Sequence, residues 1–269
     1  MQKLNTLPVL ILSLSLLTAC GNRKGSKERE SSAGKDPTEL SYDDYMQLKK
    51  TKSVVYIISE MKNQGVGYVE IPSDLSKYSL IADKNKMTMM FGMLSANIAY
   101  HKILGNITDI PEQMDLHLQF ARKLNADPYL VAFFYTNVDR LKGNEVNDQL
   151  LGELHEELDK YQVELVDRMK GVDNDFLVYY TLGVLTEMSY YKTYLTGPAA
   201  DPVHDSLKES YLAFVSGLYE SDRYGGYARL FKPVTDVFLN AEASKNTPPD
   251  EKNRIILEAV NSVKNKVFY

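Results

Sequence analysis

EVNDQLLGELHEELDKYQVELVDRMK, residues 145–170, decides the fold class. Val146, Leu150, Leu154, Leu158, Tyr161, Leu165 and Met169 recur every three or four residues. Glu153, Glu156, Asp159, Lys160, Glu164 and Asp167 fill the other face. That spacing lays one apolar stripe along a helix of about seven turns. A half-buried strand would alternate with a period of two, and this segment does not. Asn144 is placed to cap its start and Gly171 to end it.

The same period runs outward from this segment in both directions, from residue 42 to the C-terminus. Two segments, about 86–104 and about 175–196, are apolar on most sides, as helices at the centre of a bundle are. Shorter helices are predicted over 42–63, 111–124, 128–141, 202–219, 227–243 and 249–267. Pro111, Pro128, Pro202 and Pro249 fall at first helical positions, with Asp127 and Asp201 standing before two of them as caps. Residues 64–82 are the least helical stretch and read as a loop with a short strand-like piece from Gly67 to Ile71. The fold class is all-α: a multi-helix bundle or a short helical array over 42–269.

The two apolar helices echo each other. Shifted by 91 residues, FGMLSANIAYHKILGN (91–106) lies over LGVLTEMSYYKTYLTG (182–197) without a gap. Gly92 meets Gly183, Leu94 meets Leu185, Ser95 meets Thr186, Tyr100 meets Tyr191 and Leu104 meets Leu195. At the same offset Pro111 meets Pro202, Leu116 meets Leu207 and Phe120 meets Tyr211. The echo reads as an internal duplication of an antiparallel helix pair, the two copies packing around a pseudo-two-fold or superhelical axis. Chance likeness between two apolar helices is the alternative. The 34-residue signature of tetratricopeptide arrays is absent.

The N-terminus reads as an address. MQKLNTLPVLILSLSLLTAC opens with Lys3 and continues with an apolar run from Leu7 to Leu17. That run is too short for a hydrocarbon core of about 30 Å, which needs about 20 helical residues, but it fits a signal-peptide core. Leu17-Thr18-Ala19-Cys20 resembles a bacterial lipobox, and it holds the only cysteine of the chain. The resemblance to lipoprotein signal peptides implies that 1–19 is removed and that Cys20 carries fatty-acyl chains such as palmitate. An ordinary secretory signal with a chance cysteine is the alternative. Residues 20–41 are rich in Gly, Ser and charge and read as a flexible tether. Arg23, Lys24, Lys27 and Arg29 either touch anionic head groups or merely keep the tether soluble. Gly21 and Asn22 follow the cysteine, and the lack of Asp there points by analogy to the outer membrane, facing the periplasm.

FGMLSANIAY (91–100) followed by DFLVYYTLGVLTEMSYY (175–191), together with the lipobox, resembles a group of helical lipoproteins of Bacteroidetes. The resemblance covers roughly residues 85–200 and implies fold and location, with no activity attached. Where that group tends to carry an acidic residue this chain has Asn97, so the resemblance implies no metal ligand there.

Composition narrows the chemistry further. The chain has 269 residues and a net charge of −5, which argues against nucleic acid as the partner. One Cys excludes an intramolecular disulfide framework and a cysteine-based zinc site. The four histidines, His101, His117, His155 and His204, show no metalloprotease spacing. His155, followed by Glu156 and Glu157, reads as part of a solvated helix face. A His101–His117 pair across a helical hairpin lacks a third ligand. No nucleophile elbow, Walker or dinucleotide glycine motif is present. No catalytic residue, metal or cofactor is expected.

The unusual feature is 19 Tyr with no Trp. Tyrosine has an apolar body and a polar tip, suited to a bundle's core margin or to a binding groove. The candidate groove residues are Asn97, Tyr100, Glu187, Tyr190, Tyr191 and Tyr194, with Glu187 as the polar contact. Two functions compete on these grounds. One is a lipid-anchored envelope module that docks a partner protein or scaffolds an assembly. The other is a binding protein for a small apolar or glycan ligand. An enzyme would require convergent ionisable groups that the sequence does not display. Whether the echoing helices pack solid or enclose a cavity separates these readings.

Overall fold

Helices account for nearly all of the ordered secondary structure, because the sequence supplies stop and start signals at short intervals. The computed structural model describes residues 40–70, 81–105, 107, 110–141, 146–196 and 207–269, and no strand forms among them. In chain order the helices are α1 (Tyr42–Lys50), α2 (Val54–Asn63), α3 (Lys84–Ile103), α4 (Pro111–Lys123), α5 (Pro128–Arg140), α6 (Asp148–Met169) and α7 (Asn174–Thr196). A π-helical stretch (Leu207–Leu212) leads into α8 (Ala213–Gly217), α9 (Gly225–Ala228), α10 (Lys232–Phe238), α11 (Ala241–Asn246) and α12 (Pro249–Phe268).

The caps explain most boundaries. Ser41 and Asp44 form a reciprocal capping box at α1. Asp127 accepts from the backbone N–H of Tyr129 and Leu130 at α5, and Pro111, Pro128 and Pro249 occupy first helical positions. Gly171 follows α6 with φ of 72°, the left-handed turn that stops a helix.

Several boundaries differ from the sequence reading. Residues 42–63 form two helices, because the chain turns extended at Thr51 and Ser53 caps a new start through Tyr56 N–H. The cap of α6 is Asn147, whose side chain accepts from Leu150 N–H. Residues 227–243 break into short pieces. Gly225 and Gly226 open the region, Pro233 starts α10, and Asn240 caps α11. Residues 64–70 are turn and loop. The signal segment, Cys20, the tether up to residue 39, Asn144, Asp201, Pro202 and His204 lie outside the described residues.

α3 is buried on every side from Met87 to Ile103 and forms the axis of the molecule. Its main neighbour is α7, which runs beside it in the same direction. The contacts between them obey the 91-residue offset. A Cβ built on Gly92 would strike the carbonyl oxygen of Tyr180, and one built on Gly183 would strike that of Met89. These two contacts are the same contact exchanged between the helices. Farther along, Tyr100 stacks on its counterpart Tyr191, ring centroids 4.2 Å apart and 14° from parallel. Ser95 Oγ bonds back to Phe91 O at 2.9 Å, and Thr186 Oγ1 to Leu182 O at 2.7 Å, again at matched positions. A pseudo-two-fold axis parallel to both helices relates them. Small residues permit the close approach, and matched hydroxyls satisfy themselves within each helix.

Around this seam α4 folds back on α3, α12 lies along α7, and α1 and α2 rest on α6. No helix among the described residues is long and apolar enough to cross a membrane.

Candidate functional site

The six residues singled out from sequence sit mainly in the seam. Tyr100 and Tyr191 are wholly buried in their stack. The Tyr100 hydroxyl donates to Val69 O at 2.8 Å and accepts from Val69 N–H at 3.0 Å, pinning the loop after α2 to α3. Glu187 is buried and pairs with Lys264 of α12, Nζ to Oε2 2.9 Å, as an ion pair rather than an aligned hydrogen bond. The Lys264 ammonium also lies 4.1 Å from the centre of the Tyr190 ring. Tyr190 leans on Tyr191 and Tyr194, and Tyr194 is 52% exposed. Asn97 is buried with its Oδ1 unpartnered. These residues fasten α3, α7 and α12 to each other.

The histidines separate. His101 Nδ1 lies 3.0 Å from the Tyr68 hydroxyl, whereas His117 belongs to a different network. His155 packs on the Tyr56 ring at 4.5 Å and is half-buried, not fully solvated. Among the described residues no three His, Cys, Asp or Glu side chains gather as a metal site requires.

An opening in the packing lies elsewhere, on the flank of the seam. α5 makes few close backbone approaches to any other helix and is held off by its aromatic side chains. Phe133 stacks on Tyr161 of α6 at 4.0 Å, and Phe134 stacks on His117 of α4 at 4.3 Å. Asp127 before α5 pairs with Arg168 at 2.6 Å, and Arg140 at its end pairs with Glu157 at 2.7 Å. Between α5, α6 and the small residues of the seam, Ser95 and Ala99 on α3 and Thr181 and Val184 on α7, a cavity of about 110 Å³ remains. Half of its lining residues are Leu, Val or Phe, and Thr51–Val55 and Tyr211 border it at one side. None of the six sequence candidates lines it.

Behind Ser95 on the cavity wall lies a hydrogen-bonded chain. The Tyr135 hydroxyl donates to Met114 O at 3.2 Å. The His117 ring continues the chain, with Nδ1 3.0 Å from that hydroxyl and Nε2 2.9 Å from Ser95 Oγ. His117 is sandwiched between Phe91 and Phe134, each 4.3 Å away, and burial pushes its pKa down to about 3. The serine–histidine contact has the spacing of an acyl-transfer dyad. Ser95 lies in mid-helix, however, where the backbone N–H groups are spent on α3, and a histidine so hard to protonate is a weak base. The chain works as a neutral polar wall.

One wall group is left over. Tyr161 is only 6% exposed, yet its hydroxyl has no hydrogen-bond partner. Burial holds that hydroxyl protonated far above its ordinary range, and Tyr180 is the first of the groups acting on it. Buried hydroxyls are nearly always satisfied, so this one stands out in the packing beside the cavity.

No signal in the sequence announced this site. Ser95, Tyr161 and Tyr180 line it from three helices, with His117 and Tyr135 behind Ser95 on two more, and no local spacing encodes their meeting. No family model, curated protein or solved structure matches the chain.

Proposed function

We propose that this protein is held at the bacterial envelope through acylated Cys20 and that its helical body binds a small apolar molecule in the α5–α6 cavity. The observation that carries the reading is the cavity itself: about 110 Å³ of largely apolar space between α5, α6 and the seam. Protein interiors pack like organic crystals and leave few voids larger than a water. A ligand that fills the cavity regains contacts that its wall atoms lack. Its size suits one small ring or a short chain.

The docking-module reading has less behind it. Among the described residues the large exposed apolar side chains are Tyr42, Val69, Tyr129, Val163, Val172, Tyr194, Leu239 and Tyr269, and no two of them share a helix.

Benzene is the simplest probe. A ligand that binds only the native state raises the melting temperature in proportion to its occupancy. Benzene should give a saturable rise in the parent chain and none in Ala99→Leu, which fills the cavity; Ala99→Val serves if Leu overpacks. Absence of a saturable rise in the parent removes the reading. The anchor is tested apart: Cys20→Ser should release the protein from membranes in alkaline carbonate, and retention there would remove the anchor.

A further inference from the structure

Helices make most of the cavity wall, but one edge of it is the extended strap Thr51–Ser53 between α1 and α2. A helix gives way only by breaking its own hydrogen-bond ladder, whereas an extended segment moves by rotating a few backbone bonds. Both ends of the strap are fixed. Gln162 Nε2 donates to Leu48 O at 3.1 Å, and the Ser53 side chain accepts from Tyr56 N–H at 3.2 Å. Its middle residue is held by two ties of different kind. The Lys52 ammonium pairs with Asp159 of α6 at 3.1 Å, but that lysine side chain is 40% exposed, so the pair is wet and holds weakly. From within, Tyr211 is 2% exposed and its hydroxyl donates to Lys52 O at 2.7 Å. Burial pushes that hydroxyl well above its ordinary range, so it remains a donor. Two features single Tyr211 out. It sits in the π-helical stretch Leu207–Leu212, a wide turn of a kind that is rare and recurs at functional positions. Its counterpart at the 91-residue offset, Phe120, fills the core with a bare ring, so packing alone does not call for the hydroxyl.

Resting on the cavity-binding reading above, we infer that Thr51–Ser53 is the gate through which a ligand enters the cavity, and that the Tyr211 hydroxyl is its latch. Shut, the gate satisfies Lys52 O inside the protein. Open, it turns that carbonyl to water and carries the lysine stem off the cavity. The ligand passes inward and outward by the same opening. A weaker latch therefore speeds entry and exit by a common factor, and the ratio of the two rates is left to the cavity wall.

Fluorine exchange NMR of fluorobenzene with the full chain reads both rates. In Tyr211→Phe the ring stays, and Lys52 O loses its donor in the shut state only, since the open state offers it water. Association and dissociation should both quicken by about threefold or more, the factor that one lost hydrogen bond implies. Their ratio should move far less than either rate. Should that variant lose its near-ultraviolet dichroism, Lys52→Gly takes its place with the same expectation, because it loosens the strap and leaves the buried ring untouched. Faster dissociation with unchanged association makes Tyr211 an ordinary wall contact and overturns the gate. Two unchanged rates route the ligand past α5 instead, which overturns the gate and leaves the cavity reading intact. Absence of saturable fluorobenzene binding in the parent chain overturns the cavity reading, and the gate falls with it.

Discussion

A histidine clamped between two phenylalanine rings accepts a proton only at great cost, and His117 makes that cost visible in the pH dependence of folding. Its pKa falls to about 3 in the native state because burial strips water from the charged form. The unfolded chain takes up a proton near the ordinary histidine value of about 6.5. Between those values the unfolded state binds more protons, so stability falls as pH falls. His101, also pushed down by its burial, adds a slope of the same sign. Between pH 7 and 5.5, where carboxylates barely titrate, His117 should account for a loss of about 1 kcal/mol. Urea unfolding of the parent chain and of His117→Gln across that range checks it. The variant should be less stable at pH 7 but lose less on acidification, and equal slopes would show that His117 reaches a proton from solvent. This residue also marks the limit of sequence reading. Ser95 and His117 lie 22 positions apart and His117 and Tyr135 lie 18 apart, on three helices, and no local spacing encodes their meeting.

At the scale of elements the seam between α3 and α7 was legible, and the reason is physical. A helix that approaches another backbone needs glycine at the crossing and apolar residues all round, and both marks survive in one sequence. The echo aligned Gly92 with Gly183 and Tyr100 with Tyr191: each glycine abuts a carbonyl of the other helix, and the tyrosines stack on one another. Chance likeness between two apolar helices does not require that their glycines strike each other's carbonyls reciprocally. Gly92→Ala and Gly183→Ala should therefore be destabilising to a similar degree, by about 1–3 kcal/mol each or more, because backbone stands in the way on both sides. Gly152 in α6 is the control. Nothing lies within 4 Å of a Cβ there, so Gly152→Ala should stabilise by about 0.5–1 kcal/mol. Denaturant midpoints of the three variants settle the matter. A large asymmetry between the first two, with the control behaving, would mean that the seam is not the symmetric contact described. The same logic explains what the periodicity missed. The break at Thr51–Ser53 depends on a serine capping a second start inside an unbroken apolar pattern. The standing-off of α5 depends on which rings meet across space, and neither alters the period that sequence reading counts.

For the whole molecule, two parallel neighbours impose a detour. A chain leaving the end of α3 must travel back before it can enter α7 in the same direction, and α4, α5 and α6 are that return. The seam is packed without space, whereas the return is assembled from rings and surface ion pairs such as Arg168–Asp127, which contribute little each. Local stability should follow this division. The least protected elements of a protein are those with few buried close contacts, and ligand-binding parts are drawn from them. Amides of α3 and α7 should exchange with solvent only through global unfolding, and those of α5 through a smaller opening at lower free energy. A ligand in the cavity raises the cost of that opening by the free energy of its own binding and leaves global exchange linked to the same term. Native-state hydrogen exchange with and without saturating benzene tests both halves of the argument. Protection in α5 and in α3 should rise by the same increment, while openings that leave the ligand bound should show no rise. If α5 already exchanges as slowly as α3 in the free protein, the cavity wall is as rigid as the seam. If the added protection falls on α12, the ligand sits by the Glu187–Lys264 pair, and the residues first picked from the sequence would be its site after all.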